Sequence, residues 1–202
     1  MTPIIYLASN SPRRRELLQQ IRVSYEVLAF RGPARHDQDI CEDTLPGEDA
    51  MSYVKRVALL KAEGGVRRIA WRGLPRRLLL AADTTLELDG EVIGKPRDGD
   101  HAIQILRELS ARTHQVLTSV VLTDGERYLQ RLSTNQVRFR PLKDAEIRQY
   151  VASGEAMDKA GAYGIQGRAA MFIEEIRGSY TGIMGLPLFE TAALLQEFGY
   201  PL

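Results

Sequence analysis

The chain has 202 residues, with 27 Lys+Arg against 26 Asp+Glu and a single Cys. Its 44% hydrophobic and 26% charged content is ordinary for a globular chain long enough to bury a core without disulfide or metal staples, so disorder and collagen-like repeats are excluded. A net charge of +1 supplies no global field to recruit nucleic acid or membrane, and a lone Cys41, unable to bridge internally, suits a reducing, cytoplasmic setting.

The opening Met-Thr-Pro-Ile-Ile-Tyr has no basic lead and no long apolar core, and no later run approaches the roughly 18 apolar residues of a membrane span. Neither a signal peptide nor a spanning helix is expected. Ile4–Ala8 reads as a strand, Pro12–Ile21 as a helix carried by Leu17, Leu18 and Ile21, and Tyr25–Leu28 as a second strand. Tyr53, Val54, Val57, Ala58 and Leu60 mark a helix that should start near Gly47 to Asp49. Leu78–Ala82 is a continuous apolar run, expected of a strand buried on both faces and stopping at Asp83.

Alternating runs on either side of Asp89-Gly90 predict a hairpin over Leu86–Ile93. A helix follows from Asp100 to Ser110 with Ile103, Leu106 and Leu109 inward. A second hairpin then pairs Val116–Leu122 with Tyr128–Phe139 through Asp124-Gly125. Lys143–Ser153 reads as a helix, Ala170–Ile176 as a strand and Leu186–Phe198 as a closing helix. The Gly-rich stretch from Gly154 to Gly185 is the least regular and the expected place for a loop-borne site. Interleaved strands and helices predict an α/β fold: a mixed sheet with hairpins, flanked by helices.

Ser9-Asn10-Ser11-Pro12-Arg13-Arg14-Arg15 joins the first strand to the first helix. Ser11 is placed to cap that helix and Pro12 to occupy its first position. Three arginines in a first turn oppose the helix macrodipole. Together with free amides and hydroxyls they suit an anion, phosphate above all; the plain alternative is a solvated basic patch behind a cap. Asp83, after a buried strand, points into the crevice where open α/β sheets bind ligands, and can hold a divalent cation or orient a water. Capping the next turn is its alternative. Lys95, pinned between Gly94 and Pro96, is an aimed ammonium or an ordinary turn lysine.

In Glu155–Gly167, glycines at 161, 164 and 167 allow close backbone approach, while Asp158, Lys159 and Gln166 supply charge and an amide able to read a base edge. The run matches neither the Walker nor the dinucleotide pattern. His36, His101 and His114 are too scattered for a zinc site, and no G-x-S-x-G elbow exists. Trp71 sits among Arg67, Arg68, Arg72, Arg76 and Arg77, but a solvated helix end explains that cluster more cheaply than nucleic acid does, so no nucleic-acid partner is expected. Cys41 reads as an ordinary small residue.

Leu7-Ala8-Ser9-Asn10-Ser11-Pro12-Arg13-Arg14 resembles the opening motif of the Maf family of nucleoside triphosphate pyrophosphatases. The likeness continues in order through Arg56…Lys61-Ala62, Ala82-Asp83-Thr84, Gly94-Lys95-Pro96-Arg97-Asp98 and Thr113-His114-Gln115-Val116. It ends with Asp158-Lys159-Ala160-Gly161-Ala162-Tyr163-Gly164-Ile165-Gln166-Gly167 and Gly185-Leu186-Pro187. Spanning nearly the whole chain, it implies one Maf-like domain over residues 1–202, with two lobes around a central cleft. The implied sheet is strongly twisted, as in inosine triphosphatases, with the substrate cleft along it.

The implied reaction splits a nucleoside triphosphate between its α- and β-phosphates, giving monophosphate and pyrophosphate, with Mg²⁺ or Mn²⁺ as cofactor and a homodimer as the assembly. In the implied roles Asp83 and Glu42 hold the metal, Asp83 orients or deprotonates the attacking water, and Lys95 is catalytic with them. Ser9, Ser11, Arg13, Arg14 and Lys61 meet the phosphates, and Thr84, Asp158, Lys159 and Gln166 complete the substrate site. Arg13, Thr84 and Gln166 match the branch that acts on dTTP and UTP, with modified pyrimidine triphosphates as further substrates. The 7-methyl-GTP branch carries Trp in the first of these places and lacks the Gln-Gly run. Two other readings stay open: a 7-methyl-GTP preference, and a non-enzymatic nucleotide- or nucleic-acid-binding regulator of septum formation. Two positions depart from the family pattern. Cys41 stands where Asp usually precedes Glu42, with Asp43 next in line to replace it, and Ala111 stands where Gly follows Leu109-Ser110.

Overall fold

The computed structural model describes residues 3–28 and 42–202; Cys41 and His36, singled out above, lie outside them. Seven strands are described: β1 Ile5–Leu7, β2 Tyr25–Val27, β3 Leu79–Leu88, β4 Glu91–Ile93, β5 Thr113–Thr123, β6 Tyr128–Phe139 and β7 Ile173–Arg177. The helices are α1 Pro12–Gln20, α2 Ala50–Trp71, α3 Gly99–Leu109, α4 Asp144–Ala152, α5 Tyr180–Met184 and α6 Leu188–Glu197. The strands form one mixed sheet in the order β2-β1-β3-β5-β6-β7, with β4 paired to β3. β1 runs parallel to both β2 and β3, and the remaining pairs are antiparallel.

Local chemistry sets the element ends. Ser11 caps α1 by accepting from the Arg14 amide, with Pro12 in the first turn. Asp49 caps α2 through the amides of Met51 and Ser52. Asp89 (φ 55°) and Gly90 (φ 86°) both take left-handed backbone, the requirement of a two-residue hairpin turn, and close β3 onto β4.

Side chains on a strand alternate between faces, and β3 shows how the core is divided. Leu79 and Ala81 pack under α2 with Ala58, Ala62 and Ile69. Leu80 and Ala82 pack on the opposite face with Leu17 and Leu18 of α1 and Leu194 and Leu195 of α6. Farther along that second face, Leu86 and Leu88 meet Ile105, Leu106 and Leu109 of α3. Asp83 therefore belongs to the α2 face and Thr84 to the other.

One edge of β3 is paired with β5 from Leu79 to Glu87. Its other edge holds β1 only at Leu79 and Leu80 and β4 only at Leu86 to Leu88. The stretch 81–85 has no strand on that side among the described residues. β1 is parallel to β3 and β4 antiparallel, so both run toward this gap, and the loops they feed are Ser9–Ser11 and Gly94–Pro96.

The structure corrects three sequence expectations. The apolar run does not stop at Asp83: β3 continues to Leu88, because pairing with β5 keeps the backbone extended through the polar residues Asp83, Thr84 and Thr85, and the strand merges with the first arm of the hairpin. The strand expected over Ala170–Ile176 begins only at Ile173; Arg168–Phe172 is a 3-10 turn that carries Phe172 into the core. The closing helix starts at Leu188, not Leu186, and a separate short helix, α5, precedes it, ended by Gly185 at φ 107°. The Gly-rich stretch thus holds two 3-10 turns, β7 and α5 rather than loop alone.

Ala111 sits just past the end of α3 with φ 60°. This is the position after a helix where Gly is favoured, and a Cβ there costs energy. Ala111→Gly is expected to stabilise the fold by about 1 kcal/mol in urea denaturation.

His114 is 2% exposed, with Nε2 2.8 Å from the Tyr163 hydroxyl and Nδ1 buried without a partner. Burial lowers its pKa to about 4, so below about pH 6.5 the unfolded chain binds a proton that the folded chain does not. Its contribution to stability is complete above pH 6.5 and lost as the pH falls toward 4. Urea denaturation is expected to show His114→Gln flattening the pH 7 to pH 5 change in stability by about 2 kcal/mol.

Candidate functional site

Three linked groups of side chains surround the uncovered edge of β3. On the α2 face, Lys61 Nζ lies 2.7 Å from Asp83 Oδ1 and 3.0 Å from Glu42 Oε1. Lys61 sits in the stripe of α2 that Val54, Val57, Ala58, Ala62 and Gly65 bury against the sheet. A lysine there is costly unless it is paired, and the two carboxylates supply the pairing. The Glu42 segment is fastened from α2: the Tyr53 hydroxyl donates to the Glu42 carbonyl at 2.9 Å, and Arg56 binds Glu48 through two bonds of 2.6 and 2.7 Å and the Asp43 carbonyl at 2.9 Å. Burial, with Asp83 and Glu42 nearby, pushes the Tyr53 pKa up to about 12, so the phenol stays a donor. Arg56 holds the Glu48 carboxyl below its ordinary range.

On the opposite face Arg14 is spread over three acceptors. Its Nε donates to the Gly185 carbonyl at 2.7 Å, one terminal nitrogen to Ser9 Oγ at 3.1 Å and the other to Thr84 Oγ1 at 3.4 Å. Burial pulls its pKa down and Asp83 pushes back, and a guanidinium remains charged throughout. Ser9 also accepts from the Ser11 amide at 3.2 Å, closing the turn into α1.

The third group starts one residue away. Arg13 lies 3.9 Å from Asp158, and Lys159 pairs with Asp158 while donating to the Glu155 carbonyl at 2.6 Å. Burial works against the Asp158 charge, but Lys159 and Arg13 hold its pKa below the ordinary value. Beside this group is a pocket whose lining includes Arg13, Leu86, Val116, Tyr163, Ile165 and Met184. Gly161, at φ 69°, closes onto β3 there; a Cβ on it would stand 2.1 Å from the Leu86 side chain.

The structure thus brings Glu42, Lys61 and Asp83 together, Ser9, Arg14 and Thr84 together, and Arg13, Asp158 and Lys159 together. Ser11 takes part through the cap of α1. Lys95 and Gln166 are exposed and are not drawn into these groups, although Lys95 lies on the loop that β4 directs at the gap. Tyr53, Thr118 and Glu48 were missed by the sequence reasoning. Tyr53 reads as one more apolar position on α2, and nothing marks Thr118 out within an apolar strand.

Glu42 and Asp83 offer hard oxygen donors converging on one cation, a donor set suited to Mg²⁺ or Mn²⁺. Among the described residues no cluster of three or more His, Cys, Asp or Glu could hold a metal alone. An ion bound here would take its remaining ligands from water and phosphate.

A family model described as Maf-like protein matches residues 4–198, and the chain belongs to that family. A protein of Aromatoleum aromaticum named dTTP/UTP pyrophosphatase is 66% identical over 100% of both chains. Proteins of the same name from Chromobacterium violaceum and Dechloromonas aromatica are 54% and 52% identical, covering 98% and 97% of this chain and 96% and 98% of theirs. Among solved structures, the Staphylococcus aureus Ham1 protein aligns with 96% of this chain and 97% of its own at 17% identity and a TM-score of 0.46.

The Lys61 and Asp83 side chains are only 17% and 11% exposed, so removing the ammonium leaves a buried carboxylate unpaired. Lys61→Met is expected to lose about 3 kcal/mol at pH 7 in urea denaturation, and Lys61→Met with Asp83→Asn to recover more than half of it.

Proposed function

We propose, with membership of the Maf-like family as the premise, that this chain hydrolyses dTTP and UTP, and modified pyrimidine triphosphates, to the monophosphate and pyrophosphate. The observation that carries the reading is the opposition of charge across the β3 gap. Carboxylates of Glu42 and Asp83 stand on one face and the arginines of α1 on the other, one residue apart along the strand. A triphosphate laid across the gap meets cations along its phosphates and a carboxylate at the bond to be broken.

Lys61 engages Asp83 at Oδ1, which leaves Oδ2 to orient a water and accept its proton. Attack is at the α-phosphorus, in line with the departing pyrophosphate. Arg13, Arg14, Lys61 and Lys95 neutralise the charge that builds on the phosphates, and Ser9 and Ser11 add donors at the N-terminus of α1. Glu42 and Asp83 would hold the divalent metal, Mg²⁺ or Mn²⁺, which when bound supplies charge neutralisation at the phosphates. The pyrimidine is assigned to the pocket beside Arg13 and Tyr163, with Gln166 at its lip offering a donor and an acceptor to the O4 and N3–H edge. Arg13, Thr84 and Gln166 are the specificity residues in this reading, and Asp158 and Lys159 complete the substrate site.

The assembly we propose is one domain with two lobes, one built on α2 and one on α1 with α3 to α6, acting as a homodimer in the cytoplasm. No helix among the described residues is long and apolar enough to cross a membrane.

The test is pyrophosphate release across canonical and modified triphosphates, with Mg²⁺, with Mn²⁺ and with chelator. Turnover of dTTP and UTP that chelator abolishes is expected, with losses of about 10³-fold for Asp83→Asn and 10²-fold for Lys95→Ala in kcat. A dominant preference for 7-methyl-GTP would overturn the specificity assignment.

A further inference from the structure

We propose that Thr118 on β5 is a positioning residue: it fixes the direction of the Thr84 hydroxyl and, through it, the orientation of Arg14. The inference rests on the functional reading above for the importance of Arg14, but its geometry stands independently.

Thr84 and Thr118 face each other across the β3–β5 pair. Thr118, fully buried, has Oγ1 2.8 Å from the Gly182 carbonyl and 2.9 Å from Thr84 Oγ1. A carbonyl only accepts, so the single hydroxyl proton of Thr118 goes to Gly182. Thr118 can then only accept from Thr84, whose own proton is thereby used. Thr84 is left with lone pairs on its outer side, where the Arg14 guanidinium, which only donates, stands at 3.4 Å. The order is therefore fixed: Arg14 to Thr84 to Thr118 to the Gly182 carbonyl.

The chain closes on itself. Arg14 Nε donates to the Gly185 carbonyl at 2.7 Å, so both ends of the relay land on α5 and the residue that ends it. That short helix is itself held in place. The Ser179 amide donates to Asn135 Oδ1 at 2.6 Å, Ser179 Oγ accepts from the Gly182 amide at 3.0 Å, and a Cβ on Gly182 would come within 2.6 Å of Ser133 Oγ. Arg14 is thus set in two directions, by the Gly185 carbonyl and by Thr84, whose hydroxyl Thr118 orients from beneath.

A consequence follows for Thr84. With its proton spent inside the protein it cannot donate to a phosphate oxygen; a substrate group meeting it must be a donor, such as a ring N–H or a sugar hydroxyl.

Thr118→Val removes the hydroxyl at nearly constant volume, and Thr118→Ser keeps it. With dTTP, Thr118→Val is expected to lose about tenfold or more in kcat with its melting temperature held, while Thr118→Ser stays within about threefold of wild type. Thr84→Val combined with Thr118→Val is expected to be no slower than the slower single variant, because both break one relay. A folded Thr118→Val enzyme with wild-type kcat overturns the proposal. Neutron diffraction from deuterated wild-type crystals tests it even if that variant does not fold. Deuterons pointing from Thr84 to Thr118 and from Thr118 to Gly182 are expected, and the reverse orientation sinks the relay. A wild-type protein that splits no triphosphate would remove the functional reading alone, since the deuteron positions judge the relay without turnover.

Discussion

The constraint on which the site depends is the interruption along one edge of β3. A central strand normally has its backbone paired on both sides. Here β5 covers one side for nearly the whole strand, while β1 and β4 each cover an end of the other and leave 81–85 between them. Consecutive residues on a strand point to opposite faces, so Asp83 and Thr84 would ordinarily be separated by the sheet itself. The gap removes that separation. In the proposed reading the carboxylates of the α2 face and the arginines of the α1 face are thereby accessible to one ligand, and the loops feeding the gap from β1 and β4 carry Ser9, Ser11 and Lys95. The placement agrees with the general rule that ligands bind where an open sheet changes the direction of its connections.

The charges around the gap follow the same division. Most ionic pairs on the surface are exposed and contribute little to stability. The Lys61 pair is different, because Lys61 stands in a helix stripe otherwise made of Val, Ala and Gly, and apolar residues of like size in place of both Lys61 and its buried carboxylate partner would serve stability as well or better. Its retention makes sense if the site needs a cation that can be released by two carboxylates and given to a phosphate. Arg13 and Lys159 show the converse arrangement, two cations sharing the single carboxylate of Asp158. Within the site Glu42, Asp83 and Asp158 offset only part of the charge of Arg13, Arg14, Lys61 and Lys159, so the near-zero net charge of the chain conceals a local cationic excess.

Much of this was legible in the sequence. Strong local signals gave the two Asp-Gly hairpins, the Ser11-Pro12 start of α1 and the apolar stripes of α2 and α3, since each depends only on neighbours in the chain. What the sequence did not disclose depends on partners far away. Asp83 looked like a strand end because its side chain is polar, whereas the strand continues for as long as β5 pairs with it. Ala170 to Phe172 have the composition of a strand but turn in 3-10 form, so that Phe172 reaches the cluster around Phe139 and Tyr150. Thr118 is the sharpest case. A threonine within an apolar β-branched run is unremarkable until the register places it opposite Thr84 and beneath α5. The resemblance already carried Lys61, and the local pattern marks it as well, because a charged residue at an apolar position of a helix contradicts that pattern, and such contradictions gather at functional sites.

Three demands are met by side chains within four residues of a single strand, which explains why its register must be exact. Asp83 answers to Lys61, Thr84 to Arg14 and Thr118, and Leu86 to the glycine of the loop that walls the pocket. These positions pair with Ser119, Thr118 and Val116 of β5 in unbroken order. A slip of one residue would exchange the faces of all three at once, placing a carboxylate against α1 and a threonine against Lys61. The long β3–β5–β6 ladder is therefore more than a frame for the core. By fixing register over nine pairs between β3 and β5, it holds the carboxylate, the arginine-orienting hydroxyl and the pocket wall in one spatial sequence. If Asp83 serves the chemistry and Thr84 the specificity, as proposed, the two are coupled through the one strand that carries both.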